Sequence, residues 1–254
     1  MRLFRNRPEL RWEYRVHEQI MPAIRRAGVD ARLTDIAILH GGYQDPSLRE
    51  AKLERNRRLL EVGHAEKPDD PVILFQLGWA ELNRGRLAAA VQLLERSVRL
   101  FPREVSVGGK ARGLLAQAYH RLGQAAHALA ILREGQALFP DDGELLFLEG
   151  IVRLETNDFA GAETCLRRLL AKPVGDCRSG VDLALYGYKA RNLLAQVYAQ
   201  WGRLADAERE WRAVLHEQPS LQAARDGLRN VLLARGRVAE ALATSPGEPS
   251  ESRE

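Results

Sequence analysis

A repeat of about 34 residues constrains this chain more than any other feature of its sequence. The segment that starts at Pro71, PVILFQLGWAELNRGRLAAAVQLLERSVRLFP, divides into two short amphipathic stretches with a glycine between them. The same pattern starts again at Gly109, Gly143, Tyr188 and Gln222, with insertions after the first and third units. Each unit predicts a helix–turn–helix pair, so the sequence predicts a stack of such pairs.

Two positions of the unit have a clear physical role. The fifteenth must end the first helix in a left-handed conformation, which glycine and asparagine accept. The twentieth must be small, so that the two helices of one unit can approach each other closely. The residues at the fifteenth position are Gly85, Gly123, Asn157, Gly202 and Gly236. Those at the twentieth are Ala90, Ala128, Ala162, Ala207 and Ala241.

With these residues the chain resembles the tetratricopeptide repeat (TPR) family over about Pro71–Ala243. The resemblance implies a mainly α-helical fold, a TPR-type α-solenoid over residues 69–244. It also implies a concave face, lined by the first helix of each unit, that binds a protein or peptide partner. The polar residues expected there are Lys110, Gln117, His120, Arg121, Lys189, Asn192, Gln196 and Gln200. Such a mildly basic surface suits an extended acidic peptide, although a merely solvated inner face would have the same composition.

Residues 1–44 differ from the repeats. The runs RLFR, RWEYRV and DIAILH favour two or three short strands, with one short helix near Gln19–Ala27. So short a β-containing segment cannot bury a core alone, and must pack on the following helices, on another chain or on a missing domain. A junction helix is expected over residues 45–68, with Asp45 as N-cap and Pro46 at its first position. A disordered tail is expected over 245–254.

The N-terminal part also resembles a second family. Its pattern is similar to the junction in bacterial family-2 glycosyltransferases that carry TPR repeats, where a catalytic domain leads into the repeats. The matching residues are Arg2, Phe4, Arg5, Val16, His17, Glu18, His40, Gly42, Tyr43, Lys52, Arg55 and Asn56. The resemblance implies that residues 1–44 are the remnant of a catalytic domain. It also implies that His17, with Glu18 beside it, corresponds to a histidine near the metal and the sugar-nucleotide diphosphate.

The sequence contains no Asp-x-Asp motif, and a divalent metal needs several oxygen ligands. We therefore expect no intact catalytic site, no metal and no cofactor in this chain. One hypothesis is a binding scaffold, the detached C-terminal part of a family-2 glycosyltransferase, whose partner could be a glycosyltransferase domain or its acceptor. The alternative is part of an active nucleotide-sugar glycosyltransferase whose catalytic domain lies upstream or on another chain.

The composition of the chain argues against several other classes of function. The 38 basic and 34 acidic residues leave a small positive surplus, too small to indicate a nucleic-acid partner. Cys165 and Cys177 are too few for a zinc site, and reduced thiols are expected. The N-terminus lacks the apolar core of a signal peptide, and no apolar run is long enough to span a membrane. The expected location is cytoplasmic.

Two local expectations concern packing. In the third unit Glu149 stands where a large apolar residue is usual, so Leu148 is expected to pack there after a slight rotation of the helix. The last unit has no polar capping helix after it, so its apolar face is expected to be exposed and to seek a partner. The residues of that face are Leu228, Val231, Leu232 and Leu242.

Overall fold

The computed structural model describes residues 4–30, 46–102, 107–140, 142–172 and 182–244. Helices account for most of this part of the chain, and one short 3₁₀ helix, Leu183–Tyr186, lies within the second insertion. The α-helices are α1 Met21–Arg26, α2 Pro46–Glu66, α3 Pro71–Asn83, α4 Leu87–Leu100, α5 Val107–Arg121, α6 Ala125–Leu138, α7 Gly143–Glu155, α8 Phe159–Leu170, α9 Tyr188–Gln200, α10 Leu204–Glu217, α11 Gln222–Ala234 and α12 Val238–Ala243.

The turns within the helix pairs follow the predicted chemistry. The residue at the fifteenth position has a positive φ in every unit, between 59° at Asn157 and 80° at Gly202. This left-handed residue ends the first helix of each pair, and the second helix starts two or more residues later. Asp45, the predicted N-cap of the junction helix, lies outside the described residues, but two other aspartates cap helices. Asp70 accepts hydrogen bonds from the N–H groups of Val72 and Ile73, and Asp142 accepts one from Glu144.

The chain forms two compact units, Met1–Pro102 and Arg103–Glu254. In the first, α3 pairs with α4, and Gly78 lets the backbone of α3 approach the fully buried Leu94. Helix α2 packs against α3, and Val16 of the N-terminal segment joins Leu60 and Ile73 in their shared core. The N-terminal segment therefore packs on the helices that follow it.

The strands expected before residue 31 are wrong. Between residues 4 and 30 the structure contains no strand, and only Glu13 and Gln19 pair, as one antiparallel bridge. Tyr14 and His17 have positive φ values of 69° and 53°, which fold the segment back on itself and prevent extended pairing. The expected short helix is present as α1, whereas the expected strand DIAILH lies outside the described residues.

In the second unit the pairs α5–α6, α7–α8, α9–α10 and α11–α12 pack in sequence. A continuous core runs through the last three pairs, and Trp211, Tyr198 and Leu166 are among its large buried members. The second insertion adds to this core through Leu185 and Tyr186. The hydroxyl of Tyr186 accepts a hydrogen bond of 3.2 Å from the N–H of Gly143 at the start of α7.

Two packing expectations change. Glu149 is itself buried, with 3% of its surface exposed, and is bonded to Arg153 and Gln136 at 2.7 and 2.6 Å, so a carboxylate with bonded oxygens occupies this position. Leu148 is half-buried against a neighbouring core cluster. In the last pair Leu228, Val231 and Leu232 face the core, and Leu242 alone of the four expected residues is exposed.

Candidate functional site

An open cavity of about 430 Å³ lies between α7 and α9 of the second compact unit. Leu221, directly before α11, closes one side of it. Most of the wall is apolar and is formed by Phe147, Ile151, Leu154, Tyr188, Leu193 and Leu221. Polar side chains, Glu155, Lys189, Asn192 and Gln196, complete the lining. A concave apolar site with a few polar groups is the usual form of a ligand pocket.

Helical periodicity places these side chains together. Phe147 and Ile151 are four residues apart on α7, so they lie on one face of that helix. Asn192 and Gln196 have the same spacing on α9 and face the same cavity. Because α7 and α9 are the first helices of successive repeats, the stacking of the repeats sets these two faces side by side.

Polar contacts fix the edge of the cavity. The Oδ1 atom of Asn192 accepts a hydrogen bond of 3.1 Å from the indole N–H of Trp211, which orients its amide. Lys189 forms an ion pair with Asp182. This contact lowers the pKa of the Asp182 carboxyl and raises that of the Lys189 ammonium, so both groups are charged near neutral pH.

The expected groove residues divide into two groups. Lys189, Asn192 and Gln196 line the cavity, and His120 reaches its edge, where its Nε2 lies 2.7 Å from the Oε2 of Glu155. The other four residues lie outside the lining. Lys110, Gln117 and Arg121 belong to α5, which packs against α7, and Gln200 is exposed at the end of α9.

The apolar wall of the cavity was not predicted from the sequence, although the positions of its residues in the repeat indicate it. Inner-face residues in this repeat type occupy the second, fifth, ninth, twelfth and thirteenth positions of a unit. Counted from Gly143, the fifth, ninth and twelfth positions of the third unit are Phe147, Ile151 and Leu154. The sequence analysis named only polar residues at such positions. Periodicity alone does not distinguish a cavity wall from a core.

His17 and Glu18 lie in the N-terminal segment, between the bridge residues Glu13 and Gln19. Both are exposed, and the His17 ring makes an edge contact with Trp79, with centroids 6.1 Å apart. Within the described ranges no cluster of three or more His, Cys, Asp or Glu side chains could hold a metal ion. His40, Gly42 and Tyr43 of the second resemblance lie outside those ranges.

Repeated helix pairs that pack in sequence define a helical repeat protein. The tetratricopeptide repeat family model matches residues 54–105, 75–143 and 147–220, which together cover more than half of the chain. The protein belongs to the tetratricopeptide repeat family.

Two curated relatives are similar in sequence. Cellulose synthase 1 operon protein C of Komagataeibacter xylinus is 29% identical over 187 residues, or 68% of this chain. A TPR repeat-containing protein of Synechococcus elongatus is 31% identical over 105 residues, or 39% of the chain. The matches span only 13% and 26% of the lengths of these relatives, respectively.

Solved structures share the fold. A tetratricopeptide repeat protein from Parabacteroides merdae superposes with a TM-score of 0.60 at 18% identity, over 78% of this chain and 72% of its own. A thermophilic TPR protein from Thermus thermophilus superposes with a TM-score of 0.54 at 21% identity, over 74% and 94%. Both support a TPR-like solenoid fold for this chain.

One structural finding bears on membranes. None of the helices in the described part of the chain is both long enough and apolar enough to cross a bilayer.

Proposed function

We propose that this protein is a non-catalytic scaffold that binds a peptide segment of a protein partner in the cavity between α7 and α9. The observation that carries the proposal is the cavity itself, with its apolar wall and polar edge. Its volume of about 430 Å³ exceeds that of any single side chain, so it can hold one large apolar anchor of a peptide and part of the backbone beside it.

The edge of the cavity supports recognition of the peptide backbone. Gln196 is half-buried at the lining, and its amide offers both a donor and an acceptor to an extended chain. Lys189 and Glu155 contribute one charge of each sign, so the cavity itself has no strong charge preference. The acidic character expected of the partner therefore concerns residues that flank the anchor, where Lys110 and Arg121 of α5 supply positive charge.

A blocking variant tests this proposal. Peptides selected from a random library on the full-length protein would be measured by calorimetry against wild type, Gln196→Trp and Gln200→Trp. Gln196→Trp fills the cavity from its edge, so at least a tenfold loss of affinity is expected. Gln200→Trp adds the same bulk one turn further along α9, outside the lining, and is expected to bind as wild type does. Equal affinities for all three proteins would contradict the proposal.

A link to glycosyltransferases is the second candidate function. Two observations favour it: the resemblance of residues 2–60 to a glycosyltransferase–repeat junction, and the similarity to a protein named for a cellulose synthase operon. We propose that the partner is a glycosyltransferase catalytic domain or its acceptor, with the present chain acting in the cytoplasm as its repeat module. Under this proposal the catalytic groups belong to a domain upstream or on another chain.

Calorimetry distinguishes the scaffold from a self-sufficient enzyme. Titration of the chain with UDP-glucose and Mn²⁺ is expected to give no heat of binding, because a nucleotide diphosphate and its metal need several convergent ligands. A saturable heat that disappears in His17→Ala would contradict the non-catalytic assignment. It would instead favour an active glycosyltransferase site around that residue.

A further inference from the structure

A second cavity, of about 390 Å³, lies in the first compact unit and takes no part in the proposed peptide site. The N-terminal segment, α2 and α3 enclose it. Its apolar wall consists of Val16, Leu59, Leu60 and Ile73, and three of these four are almost fully buried. Its polar lining consists of Glu13, Tyr14, Arg15, Glu66, Lys67, Asp70 and Gln76.

Gln76 is the unusual residue of this cavity. Only 4% of its surface is exposed, and its Oε1 atom accepts no hydrogen bond from the described residues. A buried amide oxygen without a donor destabilises the folded state, so such atoms are rare in folded proteins. Because Gln76 lines the cavity, a bound molecule with an N–H donor could satisfy this oxygen.

The carboxylate of Asp70 favours a positively charged donor. Three acids, Glu13, Glu66 and Asp70, line the cavity, against two bases, Arg15 and Lys67. Arg15 is paired with Glu66 at 2.6 Å, and Glu13 is paired with Arg26, which lies outside the lining. Asp70 accepts both of its helix-cap hydrogen bonds on Oδ1, at 2.9 and 3.2 Å.

Tyr14 adds a polar group that stays neutral. Its burial, together with the nearby charges of Asp70 and Glu13, raises the pKa of its phenol. The hydroxyl is therefore protonated at physiological pH and does not add to the negative charge of the cavity.

We propose that this cavity binds a protonated primary amine on a short aliphatic stem. The ammonium group donates to Gln76 Oε1 and is attracted by Asp70, while the stem packs on Val16, Leu60 and Ile73. A small alkyl amine and the side chain of a lysine on another protein both have this chemistry.

Ligand titrations followed by NMR methyl shifts of the full-length protein test the proposal. The probes are n-butylamine, N-acetyl-lysine methylamide, n-butanol and butyrate. At least one of the two amines is expected to shift the methyl signals of Val16, Leu60 and Ile73 in a saturable way, at least tenfold more tightly than butanol or butyrate. Binding by the lysine derivative assigns a protein-borne amine, and binding by butylamine alone assigns a free one. Failure of both amines, or equal binding of butanol, would overturn the proposal.

Two variants test whether Gln76 and Asp70 bind the amine. Gln76→Met keeps the size of the side chain and removes the acceptor, so amine binding is expected to weaken about tenfold while the protein melts at or above the wild-type temperature. Gln92→Met, at an exposed position of α4, is the matched control and is expected to bind as wild type does. Asp70→Asn preserves the helix cap and removes its charge, with an expected loss of about threefold. Unchanged amine binding by Gln76→Met would refute the assignment.

Discussion

Gly78 shows how one atom controls the approach of two helices. A Cβ atom at this position would lie 2.5 Å from the Cγ of Leu94, a side chain with no exposed surface. At the equivalent position of the third unit, a Cβ on Gly150 would lie 3.0 Å from the Cδ2 of Leu166. The first contact requires the core to move, whereas the second requires a much smaller adjustment.

We therefore expect Gly78→Ala to destabilise the protein despite the better helix propensity of alanine. Overpacking costs about 1–3 kcal/mol and exceeds the propensity gain of about 1 kcal/mol. Gly150→Ala is the matched control, with a change within about 0.5 kcal/mol of zero. Urea unfolding midpoints measure both, and a Gly78→Ala protein more stable than wild type would show that the helices have room to separate.

Cys165 is a buried thiol beside Glu149 in the third repeat unit. Burial, and next the charge of Glu149, raise the pKa of the thiol to about 12. Because the thiolate is the reactive form, Cys165 is expected to be inert in the folded protein.

In a Cys177→Ser background, Ellman's reagent at pH 8 should label no thiol until denaturant is added. The raised pKa also has a consequence for stability. The raised pKa of Cys165 stabilises the folded protein below the usual thiol pKa of about 9. This stabilisation is lost as the pH rises towards about 12. Rapid labelling of the native protein at pH 8 would mean that Cys165 is accessible and ionised.

Among the helices, α10 is linked to the last helix pair by the ion pairs of Glu208. Its carboxylate, almost fully buried, contacts Arg212 on its own helix, Arg235 after α11 and Arg237 before α12. Burial acts to raise the pKa of Glu208, but hydrogen bonds from Arg212 and Arg237 outweigh it and lower the pKa below its usual value.

Glu208→Gln is expected to lower the urea midpoint near neutral pH by weakening these contacts. Because the pKa of Glu208 is lower in the folded protein than in the unfolded chain, its ionised carboxylate stabilises the fold above the unfolded pKa of about 4.5. This stabilisation is lost as the pH falls through the folded pKa. The gap between the wild-type and variant midpoints should therefore be widest above pH 5 and close towards pH 3. A gap that does not change with pH would mean that the charge of Glu208 is unimportant.

The N-terminal segment is the element with the least regular structure in the first compact unit. Residues 4–30 contain one helix of six residues and one isolated bridge, over a small core of Leu10, Ile20, Ala23 and Ile24. Few hydrogen-bonded amides and a small buried core allow local opening at low free energy.

Amides of residues 4–30 are expected to exchange with deuterium much faster than those of α3 and α4. Mass spectrometry of peptic fragments measures both in one experiment, so the repeat helices serve as the internal control. Protection of residues 4–30 equal to that of α3 and α4 would identify the segment as a stable domain in its own right.

At the scale of the whole molecule, the repeats could be predicted and the N-terminal segment could not. A left-handed residue at the fifteenth position and a small one at the twentieth are local requirements, so the sequence displays them directly. Strand formation instead depends on a pairing partner that a single sequence does not identify. The runs around Tyr14 and His17 alternate as strands do, yet their backbone turns back at both residues.

The candidate site was predictable in part for a related reason. Lys189, Asn192 and Gln196 follow from the position rule of the repeat, since a rule fixes which face a residue occupies. The apolar wall, with Phe147 and Ile151, occupies positions given by the same rule but has the composition of a core. Whether such residues are covered depends on how closely neighbouring helices pack, and this requires the three-dimensional structure.

The cavity between α7 and α9 is the proposed binding site for a protein partner. The most direct test places a photo-crosslinking amino acid at Gln196, inside the cavity, and in a matched protein at Ala205, exposed on α10. Crosslinks formed in the native cell are mapped by mass spectrometry. We predict one dominant partner, joined through a short segment with a large apolar residue, from position 196 and none from 205. Equal crosslinking from both positions, or none from 196, would contradict the account.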